Sequence, residues 1–207
     1  MTFQRVAALT GVAAIVLICI GGAIAGEAPD AASPVQEIID HFTDNETSIE
    51  VGSFVGVAGV VLLVFFGAYL RTVLSAAEGR GGALSALVLV GTSVTAVGFA
   101  IDFTITIALA DAADDIEPAG VQALQALWDN DFVPLIVGAL VFLIAIGLSI
   151  IRHGALPKWL GWVALALAAI GFTPVGFVAF IGLGLYIVIV SVLLAARATQ
   201  PAASAPG

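Results

Sequence analysis

Asp102 is the one ionisable residue well inside an apolar segment of this 207-residue chain, eight positions before that segment ends at Ala110. At 1.5 Å per residue it lies about 12 Å below the end of a helix, where a lone charge costs a few kcal/mol in hydrocarbon. It must therefore face protein or water. Thr104 and Thr106 share its segment, and the three together form a candidate intramembrane polar site for a proton or a cation. No Lys, Arg or His lies deep in another apolar segment to neutralise Asp102. A protonated carboxyl bonded to a backbone carbonyl is the competing state.

A second group of chemistry-bearing residues lies in the two polar stretches. Glu37, Asp40, His41 and Asp44 in the first, with Asp114, Asp115 and Glu117 in the second, make a candidate outer acidic patch. Carboxylates bind divalent metals, but neither EF-hand order nor His/Cys ligand spacing is present, so a solvated acidic face is expected and no metal site. Asn45-Glu46-Thr47 has the form of a glycosylation sequon. Ser33, Ser48 and Ser53 lack a Gly-x-Ser-x-Gly setting, and His41 and His153 belong to opposite sides of the chain. No catalytic residue, cofactor or enzymatic activity is expected. The single cysteine, Cys19, reads as a small core hydrophobe. Ile18 stands before it, where a lipoprotein needs a small residue.

The elements that position these residues are set by an unusually apolar composition. The chain is 61% hydrophobic and 10% charged, with a mean hydropathy of +1.16, against roughly one-quarter charged residues in soluble domains. An all-α integral membrane bundle in one domain, residues 1–198, is the expectation. Its apolar runs cover residues 6–25, 51–74, 83–110, 132–151, 159–173 and 176–196. Residues 26–50 and 111–131 form outer loops, and residues 199–207 read as a disordered tail. The first run also has the positive start and small-residue ending of a signal peptide, but its 20 residues exceed the usual apolar core of such a peptide and favour a retained span.

Charge then orients the runs. Arg5, Arg71, Arg80, Arg152, Lys158 and Arg197 all fall on one side, with only Glu78 among the acids there, while thirteen of the fifteen acids fall on the other. Subtracting one acid from six bases gives +5, and adding −13 and the −1 of Asp102 recovers the net −9. Short cytoplasmic loops carry the excess of Lys and Arg, so both termini are expected in the cytoplasm and six helices in the membrane. The final 38-residue apolar stretch, residues 159–196, has a base at each end and must be a hairpin. Gly171 to Gly176 is its turn. Nucleic-acid binding has no basic patch to rest on.

Both outer loops carry helix signals. Ser33-Pro34-Val35-Gln36 predicts an N-cap serine, a first-turn proline and a capping box, followed by a stripe of Val35, Ile38, Ile39 and Phe42. Pro118 opens a second short helix, with Val121, Leu124, Leu127 and Trp128 on one face. Gly22-x3-Gly26 and Gly52-x3-Gly56 fit the small-x3-small packing pattern, and Gly91, Thr92, Ser93, Thr95 and Gly98 predict close packing of their helix. Gly82-Ala83-Leu84 and Gly154-Ala155-Leu156 repeat a tripeptide, which chance explains in a chain this rich in Gly, Ala and Leu.

The order of features resembles a widespread, uncharacterised group of actinobacterial membrane proteins of about two hundred residues. The residues that carry the resemblance are Val35-Gln36-Glu37-Ile38-Ile39-Asp40-His41-Phe42, Leu70-Arg71, Ala77-Glu78-Gly79-Arg80, and Gly154-Ala155-Leu156-Pro157-Lys158-Trp159-Leu160-Gly161-Trp162. The resemblance implies a multi-pass protein of the cell membrane and no assigned activity. A non-enzymatic accessory or structural component of the cell envelope is the first expectation. A small proton- or cation-coupled carrier using Asp102 is the second, and a sensor or docking protein using the acidic loops is the third. The expected partners are the lipid bilayer and either a membrane protein or a second copy of the chain.

Overall fold

A computed structural model describes residues 3–79, 81–173 and 175–198. They form eight helices, and no strand occurs among them. The helices are α1 (Phe3–Ala25), α2 (Val35–Asp44), α3 (Glu46–Glu78), α4 (Ala83–Ala112), α5 (Pro118–Trp128), α6 (Phe132–His153), α7 (Lys158–Gly171) and α8 (Gly176–Arg197). Five helical stretches are long and apolar enough to cross a membrane: α1, α3, α4, α6 with α5 leading into it, and α8. Helix α7 has 14 residues, about 21 Å at 1.5 Å per residue, which is shorter than the ~30 Å hydrocarbon core.

Sequential antiparallel contacts place α1, α3, α4, α6, α7 and α8 in a ring that closes where α8 meets α1. Helix α6 also reaches α3 and α8 inside the ring. Phe66, Leu70, Ile146, Ile150, Leu160 and Tyr186 are among the side chains buried there. The outer surface of the ring is apolar too: Phe54, Phe65, Trp162, Phe177 and Ile181 are all exposed. Apolar side chains on both the inner and the outer faces are what a lipid-facing helix presents.

Glycine sets how closely the helices approach. A Cβ on Gly21 of α1 would lie 2.5 Å from the Gly52 carbonyl of α3, and one on Gly91 of α4 would lie 2.5 Å from the Phe142 amide of α6. Gly147 and Gly161 make a similar meeting of α6 with α7. The contact on α3 comes from Gly21 and Ala25, because Gly22 faces open space and Gly26, at φ 82°, ends α1. The Gly22-x3-Gly26 spacing is therefore not the seam. Gly52 and Gly56 do lie on it, while Gly91 and Gly98 lie on the separate seam of α4 with α6.

The bases and acids separate to opposite ends of the ring, which we call the basic and acidic ends. Arg5, Arg71, Arg152, Lys158 and Arg197 lie at the basic end; Arg80, Pro174 and the tail 199–207 fall outside the described residues. There Ser149 donates to the Glu78 carboxylate at 2.6 Å, tying α6 to α3, and Arg197 donates to the Ala155 carbonyl at 2.7 Å. Cys19 is exposed on the outside of α1 and is not a core residue. In a helix apolar all round, nothing in its immediate sequence separates an inward from an outward position.

At the acidic end α2 and α5 lie against each other and against α4. Ile38, Phe42, Ile49, Leu109 and Val121 form a second, smaller core beneath them. The α2 stripe is as its spacing predicts, with Val35 and Ile39 partly buried beside Ile38 and Phe42. Its start differs. Pro34 is the N-cap, its carbonyl accepting from Glu37 and Ile38, and no side chain caps the helix. Ser33 instead closes a turn with Asp30, and Gln36 donates forward to Asp40 at 2.8 Å. On α5 Leu127 is exposed, and Gln125 is fully buried along with Val121. Its amide donates to the Pro29 carbonyl at 2.7 Å, which fastens the first polar stretch to the second.

Candidate functional site

Beneath that cap lies a cavity of about 120 Å³. The last turn of α1, with Gly21, Gly22, Ala25 and Gly26, forms one wall, and Ser53 of α3 a second. Asp102, Phe103 and Thr106 of α4 form the third, while His41 and Phe42 of α2 and Trp128 of α5 close the top. Five helices thus contribute. They converge because α3 and α4 run past the end of α1 into the acidic end, where α2 and α5 cover the step.

Each wall follows from a local feature of sequence. Gly52 and Gly56 let α1 and the Phe103 ring approach α3, and Ser53 between them shares that buried face. Ser53 is 1% exposed and its hydroxyl has no hydrogen-bond partner. Pro118 starts α5 at a point that brings Trp128, ten residues later, over Asp102. The Trp128 indole N–H is also unpartnered and lies beside the Asp102 carboxyl. Asp131, at the N-cap of α6, is close enough for its charge to act on Asp102. Burial pushes the His41 imidazole below its ordinary pKa of 6.5, so it sits over the cavity as a neutral ring at pH 7. No Lys or Arg among the described residues lines the space.

The structure separates the three residues of the candidate intramembrane site. Asp102 and Thr106 line the cavity, and the Thr106 hydroxyl donates to the Asp102 backbone carbonyl at 2.9 Å. Thr104 is exposed, and its hydroxyl is spent on Ala100 O at 2.7 Å. Deeper in α4, Thr92, Ser93 and Thr95 bond back to Val88, Leu89 and Gly91. Those hydroxyls serve their own helix, as expected from the packing pattern.

The outer acidic residues are arranged differently. Glu37, Asp40, Asp44, Asp114, Asp115 and Glu117 are all exposed, and only His41 turns inward. Among the described residues no group of three His, Cys, Asp or Glu side chains is placed to hold a metal ion. A solvated face is what this geometry provides.

Ser53 and Gln125 are the buried polar residues that the sequence reading does not place, while Trp128 lies on the face read for it with Val121 and Leu124. Ser53 carries a usable signal, since it falls on the same helical face as Gly56, three residues on, in a segment otherwise rich in Val and Gly. On α5 the departure is one position: Gln125, three before Trp128, takes the buried place that the spacing assigned to Leu127. Comparison with known proteins finds no match to this chain among family models, curated proteins or solved structures.

Proposed function

We propose that this chain is a non-enzymatic accessory or structural component of the cell envelope. It lies in the cell membrane with six spans, both termini in the cytoplasm and the acidic end outside. The resemblance to the uncharacterised actinobacterial membrane group belongs to the same proposal. Helix α7 counts as the sixth span in this reading: its recessed end is joined to α8 through Phe172 and Val175, and α6 and α8 flank it.

The observation that carries the reading is how the polar groups of the bundle are used. Ser149, Ser191, Thr92 and Thr95 are buried and bonded to neighbouring helices or to their own backbone. Glycine seams close the ring contacts between them. A bundle filled in this way is suited to holding a fixed shape and presenting its surfaces, with the bilayer around it and a membrane protein or second copy as partner. Gentle purification from native membranes, with identification of co-purifying proteins, tests the reading. A stoichiometric membrane partner or a stable homo-oligomer supports it, and a monomer with turnover of an added substrate contradicts it.

The cavity around Asp102 favours a second reading, a small proton- or cation-coupled carrier. A carrier would need Asp102 to exchange with both sides, and α4 and α6 close tightly below it at the Gly91–Phe142 and Gly138–Thr95 contacts. The structural reading therefore stands first. Asp102→Asn abolishing a pH-dependent flux in proteoliposomes, with folding intact, would reverse that order. A docking role for the exposed acids is the third reading, tested by releasing a co-purified protein on neutralising Asp114, Asp115 and Glu117.

A further inference from the structure

We infer that the cavity beneath the acidic cap is a binding site for one monovalent metal cation, with sodium as the species to test. The site shares Asp102 with the carrier reading but requires no flux.

Four observations converge on it. Asp102 lines a cavity that no Lys or Arg among the described residues reaches to neutralise it. Ser53 is 1% exposed, its hydroxyl is unpartnered, and it lines the same space, so a second oxygen ligand is at hand beside Asp102. The C-terminal turn of α1 forms the facing wall, and a helix C-terminus carries the negative end of the backbone dipole with unbonded carbonyl oxygens. Asp131 adds a second negative charge nearby. Carboxylate, hydroxyl and carbonyl oxygens are the ligand set of hard cations.

The charge count selects the valence. One carboxylate lines the cavity directly, and no three-residue acidic or His cluster completes a divalent or transition-metal site among the described residues. A volume of about 120 Å³ leaves room for the ion and for water completing its shell. The thirteen acids of the acidic end raise the local concentration of cations at its mouth.

Occupancy would link the elements that the cavity joins: α1, α3 and α4 below, α2 and α5 above. A ligand bound only by the folded state stabilises it in proportion to the logarithm of its concentration above Kd. The experiment is thermal unfolding of the purified full chain in lipid nanodiscs, in sodium, potassium and choline chloride at one ionic strength and pH 7.5. We expect a saturable rise of several degrees in sodium over choline, weaker by at least tenfold in midpoint concentration in Ser53→Ala, and absent in Asp102→Asn. Sodium-23 relaxation on the folded wild type, with and without excess lithium as competitor, gives a readout that survives misfolding of either variant. Equal unfolding temperatures in sodium and choline, an unchanged sodium response in Asp102→Asn, or no lithium-displaceable relaxation would overturn the site. Each of these leaves the structural reading intact, since co-purification of a partner does not depend on sodium. Loss of the partner likewise leaves the sodium response in place.

Discussion

Ser191 is fully buried on α8, and its hydroxyl sits inside the backbone ladder of α1, donating to the Ala8 carbonyl and accepting from the Val12 amide. Those two backbone groups would otherwise bond each other, so Ser191→Ala leaves a gap that α1 must close or leave unpaired. A buried unpaired backbone group costs about 1–3 kcal/mol. Denaturation of Ser191→Ala in mixed micelles should show a loss in that range, and no loss would mean that α1 closes the gap on its own. Gln125→Leu removes the bond to Pro29 O and should loosen the join of the two polar stretches, read as faster proteolysis between residues 27 and 34. His41 supplies a pH dependence whose sign is fixed. Its folded pKa is lowered by burial, so the unfolded chain takes up the proton first. The stabilising contribution is complete above the unfolded value of 6.5 and is lost as pH falls through it toward the folded pKa. His41→Gln should flatten that part of the stability profile. None of these three residues was legible as a partner in the sequence. Serine, glutamine and histidine signal where they are placed only when the neighbouring faces differ in polarity, and here the contacts join positions 179 and 96 residues apart.

At the scale of the elements, the sequence is clear where polarity changes and silent where it does not. The α7–α8 hairpin falls where the bases at both ends demanded it, with α7 ending at Gly171 and α8 starting at Gly176. The α2 stripe was readable because acids alternate with Ile and Phe on that helix. Inside the long apolar helices, by contrast, Gly21 and Gly22 differ by nothing in their surroundings except the face they fall on. The two make a paired prediction. A Cβ on Gly21 meets the Gly52 carbonyl at 2.5 Å, while one on Gly22 meets nothing within 4 Å. Gly21→Ala should therefore destabilise the chain by about 1–3 kcal/mol through overpacking. Gly22→Ala should be neutral or stabilising by up to ~1 kcal/mol through helix propensity. Equal effects from the two would contradict the α1–α3 seam. The cap start differs from its sequence pattern: Ser33 and Gln36 have the capping-box types, but the helix begins one residue later, with Pro34 at the N-cap.

Across the whole molecule, the partition of charge and the closure of the ring describe the same object. A single ring of helices with bases at one end and acids at the other can sit in a bilayer in only one orientation under the positive-inside rule. In the proposed orientation the two short helices face outward, covering the end where α1 stops short. The expectation of orientation was carried entirely by sequence, while the cavity that the cap creates was not, since it depends on where five helices meet. Exposure of Trp159 and Trp162 near the start of α7 fits an aromatic belt at the basic-end interface. The proposed topology stands or falls on which side of the bilayer each end occupies. In a Cys19→Ser background, single cysteines at Asp115 and at Arg152, each introduced by substitution, can be reacted with a membrane-impermeant maleimide in intact spheroplasts and again after permeabilisation. The account predicts labelling of Asp115→Cys in intact spheroplasts and of Arg152→Cys only after permeabilisation. Labelling of both from the same side, or of Arg152→Cys alone in intact spheroplasts, would contradict it.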